Sequence, residues 1–254
     1  MSAKQGTFGP ANAGKVEKVK TFFDQTNNYL PKRRLDIRLR TETVRELTKD
    51  RSFKDILDIG CGNGAISLPL LDANRHLTLL DLSPNMLSIA RSRIPAELAR
   101  NVEYVNGEFL TAEFESRSFD LVICLGVLAH VNSPSETIAR IAELLRPGGT
   151  LLLEWTDSHH AMGRINWYFN GMAALLSPPT YELNFLSSKE VMLVAKEHGF
   201  YPIQEYRYVL PFPKTDWIFR PGGLYRTTRL IFGRPGRNRN AWLGNQHIHC
   251  FGRL

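Results

Sequence analysis

The sequence predicts an α/β fold with a Rossmann-like, seven-stranded, mostly parallel sheet and helices on both of its faces. Short apolar runs alternate with segments of helical periodicity from Asp55 onward, which is the pattern of repeated βα units. The first of these runs breaks directly into glycines, as a buried parallel strand does at its carboxyl end. Its 254 residues, 43% of them hydrophobic, can bury one large α/β domain or two small ones.

The predicted elements follow from local patterns. Ser83-Pro84 and Ser133-Pro134 each place a capping hydroxyl before a proline at the first helical position, and both pairs predict helix starts. Gly199 predicts a helix end. The expected strands are 55–60, 76–81, 101–106, 119–125, 150–155, 203–210 and 246–252. The expected helices are 15–25, 32–50, 65–71, 83–93, 133–146, 162–176 and 187–198.

The organisation of the chain follows from this order. We expect a tail and helical lid over residues 1–50, and a main domain over 51–254 with substrate-side insertions at about 157–186 and 211–244. Residues 1–13 lack the apolar core of a signal peptide, and the longest apolar stretch, 121–131, is too short to span a bilayer. The three cysteines show neither metal-ligand spacing nor a paired framework. These features favour a cytoplasmic protein.

Positive charge is concentrated near the C-terminus. The net charge is +7, and seven basic residues lie between Lys214 and Arg239 against one acid, Asp216. This segment is either a solvated loop or a site for an anionic substrate, a membrane surface or nucleic acid. No recognisable nucleic-acid module accompanies it. We therefore expect Arg220 and Arg226, which flank a Pro-Gly-Gly turn, to contact a small anionic substrate, with peripheral membrane contact left open.

A glycine-rich loop follows the first strand, in the segment ILDIGCGNG that ends at Gly64. In open α/β sheets, ligands bind at the carboxyl ends of the strands, and glycines there let the backbone approach a ligand closely. The following helix start would offer free N–H groups to an anion. Asp81 lies 21 residues after Gly60, so the spacing also suits a nicotinamide dinucleotide. The segment can therefore be interpreted as a loop that binds another ligand, as a loop that binds a nicotinamide dinucleotide, or as a turn that serves only packing.

Later motifs separate these interpretations. ILDIGCGNG, LLDLSPNML, VNGEF, FDLVICLGVLAHV and LRPGGTLLL occur in that order between Asp55 and Glu154. Together they resemble the motifs of class I S-adenosylmethionine-dependent methyltransferases. The resemblance implies S-adenosyl-L-methionine as cofactor, with Asp58 near its ammonium group, Asp81 on its ribose, and Glu108 with Phe109 beside adenine. It implies further cofactor contacts from Gly60, Cys61, Gly62, Gly64, Leu82, Met86 and Leu125.

The N-terminal half also resembles magnesium-protoporphyrin O-methyltransferases, through Leu35-Asp36-Ile37-Arg38 and CLGVLAH. This resemblance implies that His130 and Tyr29 take part in substrate chemistry and that Arg38 meets the cofactor carboxylate. An imidazole titrates near neutral pH and suits a general base, although His130 could instead cap its loop or pack against the cofactor. The resemblance ends at about Glu154, so it does not carry over a porphyrin substrate.

The expected activity is methyl transfer to an oxygen or nitrogen of a small molecule, with an anionic small molecule as one candidate. No Asn/Asp-Pro-Pro-aromatic motif follows the fourth strand, which argues against methylation of nucleic-acid amino groups. His159 and His160 follow the fifth strand and are expected to contact substrate; no metal site is predicted. A nicotinamide-dependent oxidoreductase, a methyltransferase of macromolecules and a non-catalytic binding subunit are the alternatives. Both a monomer and a homodimer remain open.

Overall fold

A seven-stranded sheet forms the centre of the protein. The computed structural model describes residues 13–26, 30–164, 181, 183–209 and 222–254. The sheet has the strand order β3-β2-β1-β4-β5-β9-β6. The first five of these strands are parallel, β9 is antiparallel to β5, and β6 is antiparallel to β9. The predicted seven-stranded, mostly parallel sheet is thus confirmed.

The strands and helices are numbered in chain order. The main strands are β1 (Asp55–Ile59), β2 (His76–Asp81), β3 (Val102–Asn106), β4 (Phe119–Cys124), β5 (Leu145–Thr156), β6 (Phe200–Tyr208) and β9 (Gln246–Arg253). The helices are α1 (Ala13–Asp24), α2 (Arg34–Thr48), α3 (Pro84–Ser92), α4 (Pro134–Leu144), α5 (Ser188–Glu197) and α6 (Gly223–Phe232). A short hairpin, β7 (Gly233–Arg234) and β8 (Arg237–Asn238), follows α6.

Helices cover the sheet on both faces, as predicted. On one face, α4 and α5 contribute Ile138, Ile141 and Val191 to a core with Leu57 and Phe251. On the other face, apolar residues of α2, α3 and α6 pack on the opposite side of the same strands; they include Leu39, Leu47, Leu87, Ala90 and Phe232. Because both faces are buried, the parallel strands are apolar along nearly their whole length.

Four expected segments differ from the structure. Residues 65–71 do not form an α-helix; they contain one 3-10 turn, Leu68–Leu70, with Pro69 inside it. Proline cannot donate the backbone hydrogen bond that a longer helix needs there. The insertion 211–244 contains α6 and the hairpin rather than only a basic loop. β5 begins five residues earlier than expected and β6 three residues earlier, since their early residues pair with neighbouring strands.

Among the described residues, no helix has both the length and the apolar character that crossing a membrane requires.

Candidate functional site

The candidate site lies at the carboxyl ends of β1 and β4. These two strands are neighbours in the centre of the sheet, while their connections lead to opposite sides of it, so they flank the topological switch point where α/β proteins bind ligands. The glycine-rich loop leaves β1, and the loop that carries His130 leaves β4. The two loops are in close contact: a Cβ atom added at Gly60 would lie 2.6 Å from Val127 Cγ2.

The glycines of this loop are required by its backbone. Gly60, Gly62 and Gly64 all have positive φ angles, of 65°, 53° and 70°, which L-residues with side chains rarely adopt. At Gly62, a Cβ would meet no atom within 4 Å, so this part of the loop faces open space. The loop is anchored on the next strand, where the Cys61 N–H donates to the Leu80 carbonyl over 3.0 Å.

Asp58 is a buried carboxyl beneath this loop. It lies on β1 and is 2% exposed, and its Oδ2 atom has no hydrogen-bond partner in the described structure. Burial raises the pKa of Asp58 to about 7; the nearby Ser67 hydroxyl opposes this shift, and the Asp81 carboxylate adds to it. A buried carboxylate without a partner is unfavourable. The position therefore suits a cationic group of a ligand, which would stabilise the ionised form.

Asp81 ends β2 on the other side of the loop. Its Oδ2 accepts the Gly62 N–H over 2.7 Å, and its Oδ1 accepts the Ser83 N–H over 2.8 Å. Burial raises the pKa of Asp81, and these two hydrogen bonds oppose that shift. Each carboxylate oxygen retains further acceptor capacity. Asp81 can thus order the glycine loop and still accept hydroxyl groups of a ligand.

The residues predicted to flank adenine lie beyond Asp81. Leu82 is half-buried, and Glu108 accepts a hydrogen bond from Asn132 Nδ2 over 3.3 Å. Phe109 is 4% exposed, and its ring packs in the core beside Phe114, with centroids 6.5 Å apart. The Phe109 ring is therefore a supporting element beneath this end of the site. Met86, Leu125 and Cys61 are also buried.

Helix α1 crosses the edge of the sheet above these loops. At its start, Lys15 Nζ donates to the Val131 carbonyl and to Asn184 Oδ1, each over 3.0 Å. At its end, the Asp24 carboxylate accepts the Ser83 hydroxyl next to Asp81. The helix is thus joined at one end to the β4 loop and at the other to the β2 loop. That α1 acts as a lid over the site stays a prediction.

His130 lies under α1 within an aromatic cluster. Its Nδ1 atom is 2.9 Å from the Tyr181 hydroxyl. The Phe23 ring meets the imidazole edge-on at 5.3 Å, and Phe22 meets Tyr181 at 5.8 Å. The predicted partner, Tyr29, lies outside the described residues. Tyr181 was missed because it is 51 residues away from His130, in a segment without a recognisable motif.

Arg38 contacts residues of α2 and α6 in the described structure. Its side chain is 57% exposed, bonds Glu42 over 3.1 Å and stacks on the Tyr225 ring. Arg40, two residues later, points to the sheet edge instead, where it pairs with the buried Glu154 over 2.7 Å. A Cβ at Gly126 would lie 2.7 Å from the Arg40 guanidinium. Sequence reasoning missed Arg40.

The four predicted substrate contacts do not form one cluster among the described residues. His159 is exposed, while His160 Nε2 contacts the Trp242 carbonyl at 2.8 Å. Both histidines remain at the carboxyl edge, where their backbone N–H groups donate to Asp157. Arg226 is exposed on α6. Arg220 lies outside the described residues.

A second cluster of polar groups lies between β6 and β9. Glu205, His247 and His249 bring potential metal-ligand atoms within 4.8 Å of one another. Arg207 contacts Glu205 Oε2 through Nε at 2.9 Å and through Nη2 at 2.8 Å. His249 Nε2 lies 2.9 Å from the same oxygen. These contacts hold the pKa of Glu205 at about 2, with His249 the largest cause. The guanidinium would repel a cation, so we interpret the cluster as an ion-pair network.

Comparisons with known proteins agree with this geometry. Residues 57–153 match the sequence model of a family described as a methyltransferase domain. A ubiquinone biosynthesis O-methyltransferase of Aromatoleum aromaticum is 40% identical over 98 residues, covering 38% of this chain and 41% of that protein. Its mitochondrial counterpart from Schizosaccharomyces pombe is 31% identical over 131 residues, covering 50% and 47%. The chain thus spans less than half the length of these curated relatives.

Solved structures share the fold over most of the chain. Magnesium protoporphyrin IX methyltransferase from Synechocystis PCC 6803, solved with bound SAH, is 17% identical, with a TM-score of 0.65 and coverage of 94% of this chain and 100% of that chain. The N-methyltransferase NodS from Bradyrhizobium japonicum WM9 is 14% identical, with a TM-score of 0.56 and coverage of 87% and 88%. The cyclase SpnF is 19% identical, with a TM-score of 0.57, and the match covers 85% of this chain and 80% of that chain. One fold hosts several chemistries, so the activity must be argued from the site.

Proposed function

We propose that this chain, whose residues 57–153 form a methyltransferase domain of the class I S-adenosylmethionine-dependent family, transfers the methyl group of S-adenosyl-L-methionine to an oxygen of a small molecule. The observation that carries the proposal is the arrangement of Asp58 and Asp81 on either side of the glycine loop, with His130 on the adjoining β4 loop. The buried Asp58 oxygen without a partner suits the cofactor ammonium. Asp81 suits the ribose hydroxyls.

The residues present divide the work of binding. When bound, S-adenosylmethionine would supply an electrophilic methyl group on its sulfonium sulfur, and an in-line nucleophile would take this methyl group while S-adenosylhomocysteine leaves as a neutral thioether. Asp58 holds the ammonium end and Asp81 the ribose, while Gly62 leaves room for the backbone to approach. Leu82 and Glu108 flank the adenine end. Helix α1, joined to both loops through Lys15 and Asp24, excludes water from the crevice.

His130 acts on the acceptor. In the tautomer that suits this role, Nδ1–H donates to the Tyr181 oxygen, 2.9 Å away, and Nε2 keeps its lone pair. Nε2 would then take the proton that the acceptor hydroxyl loses on methylation. Tyr181 is a positioning residue, since its hydroxyl holds the orientation of the imidazole. His159 and His160 line the same edge and contact the remainder of the substrate.

Two lines of support favour oxygen as the acceptor atom. A hydroxyl must lose a proton on methylation, and His130 supplies a base for it. The curated relatives that match the domain at 40% and 31% identity are O-methyltransferases by name. An anionic acceptor remains compatible with Arg226 and Arg220, which we still propose as substrate contacts. The acceptor itself is a small molecule rather than a nucleic acid.

The first experiment tests the cofactor. Titration of the full chain with S-adenosylhomocysteine and with NADH in a calorimeter should show binding of the first and none of the second. The reverse result would establish the nicotinamide-dependent alternative.

The second experiment tests catalysis. S-adenosylhomocysteine formation is followed with a panel of hydroxylated and aminated small molecules, and the best acceptor is used for variants. His130→Ala should lower kcat by about 10²-fold while cofactor affinity is retained, and Tyr181→Phe should lower kcat less and shift its pH profile. His76→Ala, which changes an exposed histidine at the start of β2, is the matched control. Wild-type turnover in both site variants, or turnover only with amines, would contradict the proposal.

A further inference from the structure

The surface around α6 combines exposed apolar side chains with unpaired positive charge. Leu230 is 76% exposed on α6, Ile231 is 38% exposed beside it, and Trp242 is 72% exposed shortly after the hairpin. Large apolar side chains at such exposure are not accounted for by the fold itself. We call this region the α6 surface, made of these three residues together with the exposed arginines 226, 234, 237 and 239.

These residues lie side by side although they come from two segments. Arg226 and Leu230 are one helical turn apart on α6 and so share one face. The segment after the hairpin returns along the end of this helix, where the Arg239 N–H donates to the Phe232 carbonyl over 2.7 Å. Asn240 Nδ2 donates to the Ile231 carbonyl over 2.8 Å. Trp242 follows two residues later, so its indole is carried by the same returning segment.

The charge of this surface is entirely positive. Residues 222–254 contain six arginines and no aspartate or glutamate. Two of these arginines have structural partners: Arg229 pairs with Glu42, and Arg253 donates to the His198 carbonyl. The other four make no ion pair within the described part of the chain. The acid nearest the hairpin, Glu46 beside Gly236, is engaged by Lys49 over 2.9 Å.

We propose that the α6 surface docks the protein on an anionic membrane surface, with Leu230, Ile231 and Trp242 in the interfacial layer and the four arginines on lipid phosphates. An amphipathic helix with aliphatic and Trp side chains among arginines is the composition of interfacial binding. Arginine also buries its apolar stem while its charge stays at headgroup level. Each basic residue near such a surface contributes to binding.

The composition of the surface favours lipid over nucleic acid. Leu230 is 76% exposed on α6 and adds an aliphatic side chain to the exposed arginines. An aliphatic side chain exposed to this degree gains nothing from bases, which stack on aromatic groups. In a lipid interface the same side chain is removed from water.

The docking surface adjoins the carboxyl edge of the sheet. The Trp242 carbonyl is 2.8 Å from His160 Nε2, and His160 follows β5 at that edge. Docking through the α6 surface would therefore bring the candidate site close to the bilayer. The proposal itself does not depend on the methyl transfer, because it is tested by binding alone.

The experiment is co-sedimentation of the full chain with two kinds of vesicle. One is phosphatidylcholine alone, and the other also contains about 30% phosphatidylglycerol. Binding is expected only to the anionic vesicles, and it should weaken as the salt concentration rises. Neutralising an arginine, as in Arg234→Gln or Arg237→Gln, should weaken binding about fivefold for each residue changed. The double variant Leu230→Ser and Trp242→Ser should weaken it by about tenfold or more.

A matched control changes the same kinds of residue on α5. Leu193 is 54% exposed there, between the exposed Lys189 and Lys196, so Leu193→Ser with Lys189→Gln and Lys196→Gln should leave vesicle binding unchanged. The vesicles should also shift the protein's tryptophan emission to the blue, and Trp242→Phe should remove that shift. No binding to anionic vesicles, or equal loss in the control, would overturn the proposal. Tight binding of tRNA without vesicle binding would assign the surface to nucleic acid.

Discussion

Acidification should weaken cofactor binding through Asp58. This carboxyl is buried beneath the glycine loop without a partner for Oδ2, and burial raises its pKa to about 7. A cationic ammonium group favours the ionised carboxylate. The protein without cofactor must therefore release a proton from Asp58 when it binds S-adenosylhomocysteine at pH 6, but seldom at pH 7.5.

The size of the effect follows from this pKa. With a pKa of about 7, Asp58 is protonated in about nine molecules of ten at pH 6 and in about one of four at pH 7.5. If only the ionised form binds, the dissociation constant rises about eightfold between pH 7.5 and pH 6, or about 1.2 kcal/mol. The stability of the folded protein changes with pH in the opposite direction to the cofactor affinity. The unfolded chain ionises at lower pH than the folded one, so this group lowers the stability of the cofactor-free protein as the pH rises from about 4 to about 7.

Calorimetry with S-adenosylhomocysteine at pH 6.0, 6.7 and 7.5 measures both the affinity and the protons released, when two buffers of different ionisation enthalpy are used. Asp58→Asn should bind more weakly at pH 7.5 and with no pH dependence. Asp50→Asn, which changes an exposed carboxylate, should behave as wild type. A flat affinity in the wild-type protein, or a slope retained in Asp58→Asn, would refute the assignment of the ammonium to Asp58.

Three further predictions concern the surrounding residues. Asp81→Ala should cost about 2 kcal/mol or more in cofactor affinity, because two ligand hydroxyls lose a charged acceptor; unchanged affinity in a folded variant would contradict this. Lys15→Met should speed the release of S-adenosylhomocysteine in stopped-flow measurements, since it removes both bonds at the start of α1; an unaltered rate would mean that α1 does not gate the site. Arg40→Met should lower the free energy of unfolding by about 3–5 kcal/mol, because it leaves Glu154 buried and unpaired, whereas the exposed Lys49→Met should change it by less than about 1 kcal/mol in the same urea titration.

The local elements of this protein could be predicted from neighbouring residues. β2 has the predicted bounds, and Ser83 and Ser133 cap α3 and α4 as expected, each accepting a backbone N–H three residues later. The positive φ angles of the glycine loop are likewise a local property, since only glycine adopts them readily. One expected element, the helix over 65–71, is absent because Pro69 interrupts it.

The partners within the site could not be predicted in the same way. Arg38 and Arg40 are two residues apart on α2, and the sequence motif pointed to Arg38. Packing turned Leu39 into the core and Arg40 toward the sheet edge, where Glu154 meets it. Tyr181 reaches His130 from a distant segment, and its contact depends on where the chain returns after β5.

The sequence by itself determined the α/β class, the order of the strands along the chain, the glycine loop and the place of Asp81 at the end of β2. These features depend on hydrophobic period, capping residues and backbone conformation, all of which are set by adjacent residues. Only the tertiary structure decided that Asp58 Oδ2 is buried without a partner, that Lys15 and Asp24 join α1 to two loops, and that Leu230 and Trp242 are exposed. Each of these depends on side chains brought together from distant parts of the chain, and packing against the sheet, rather than sequence spacing, decides which of them meet.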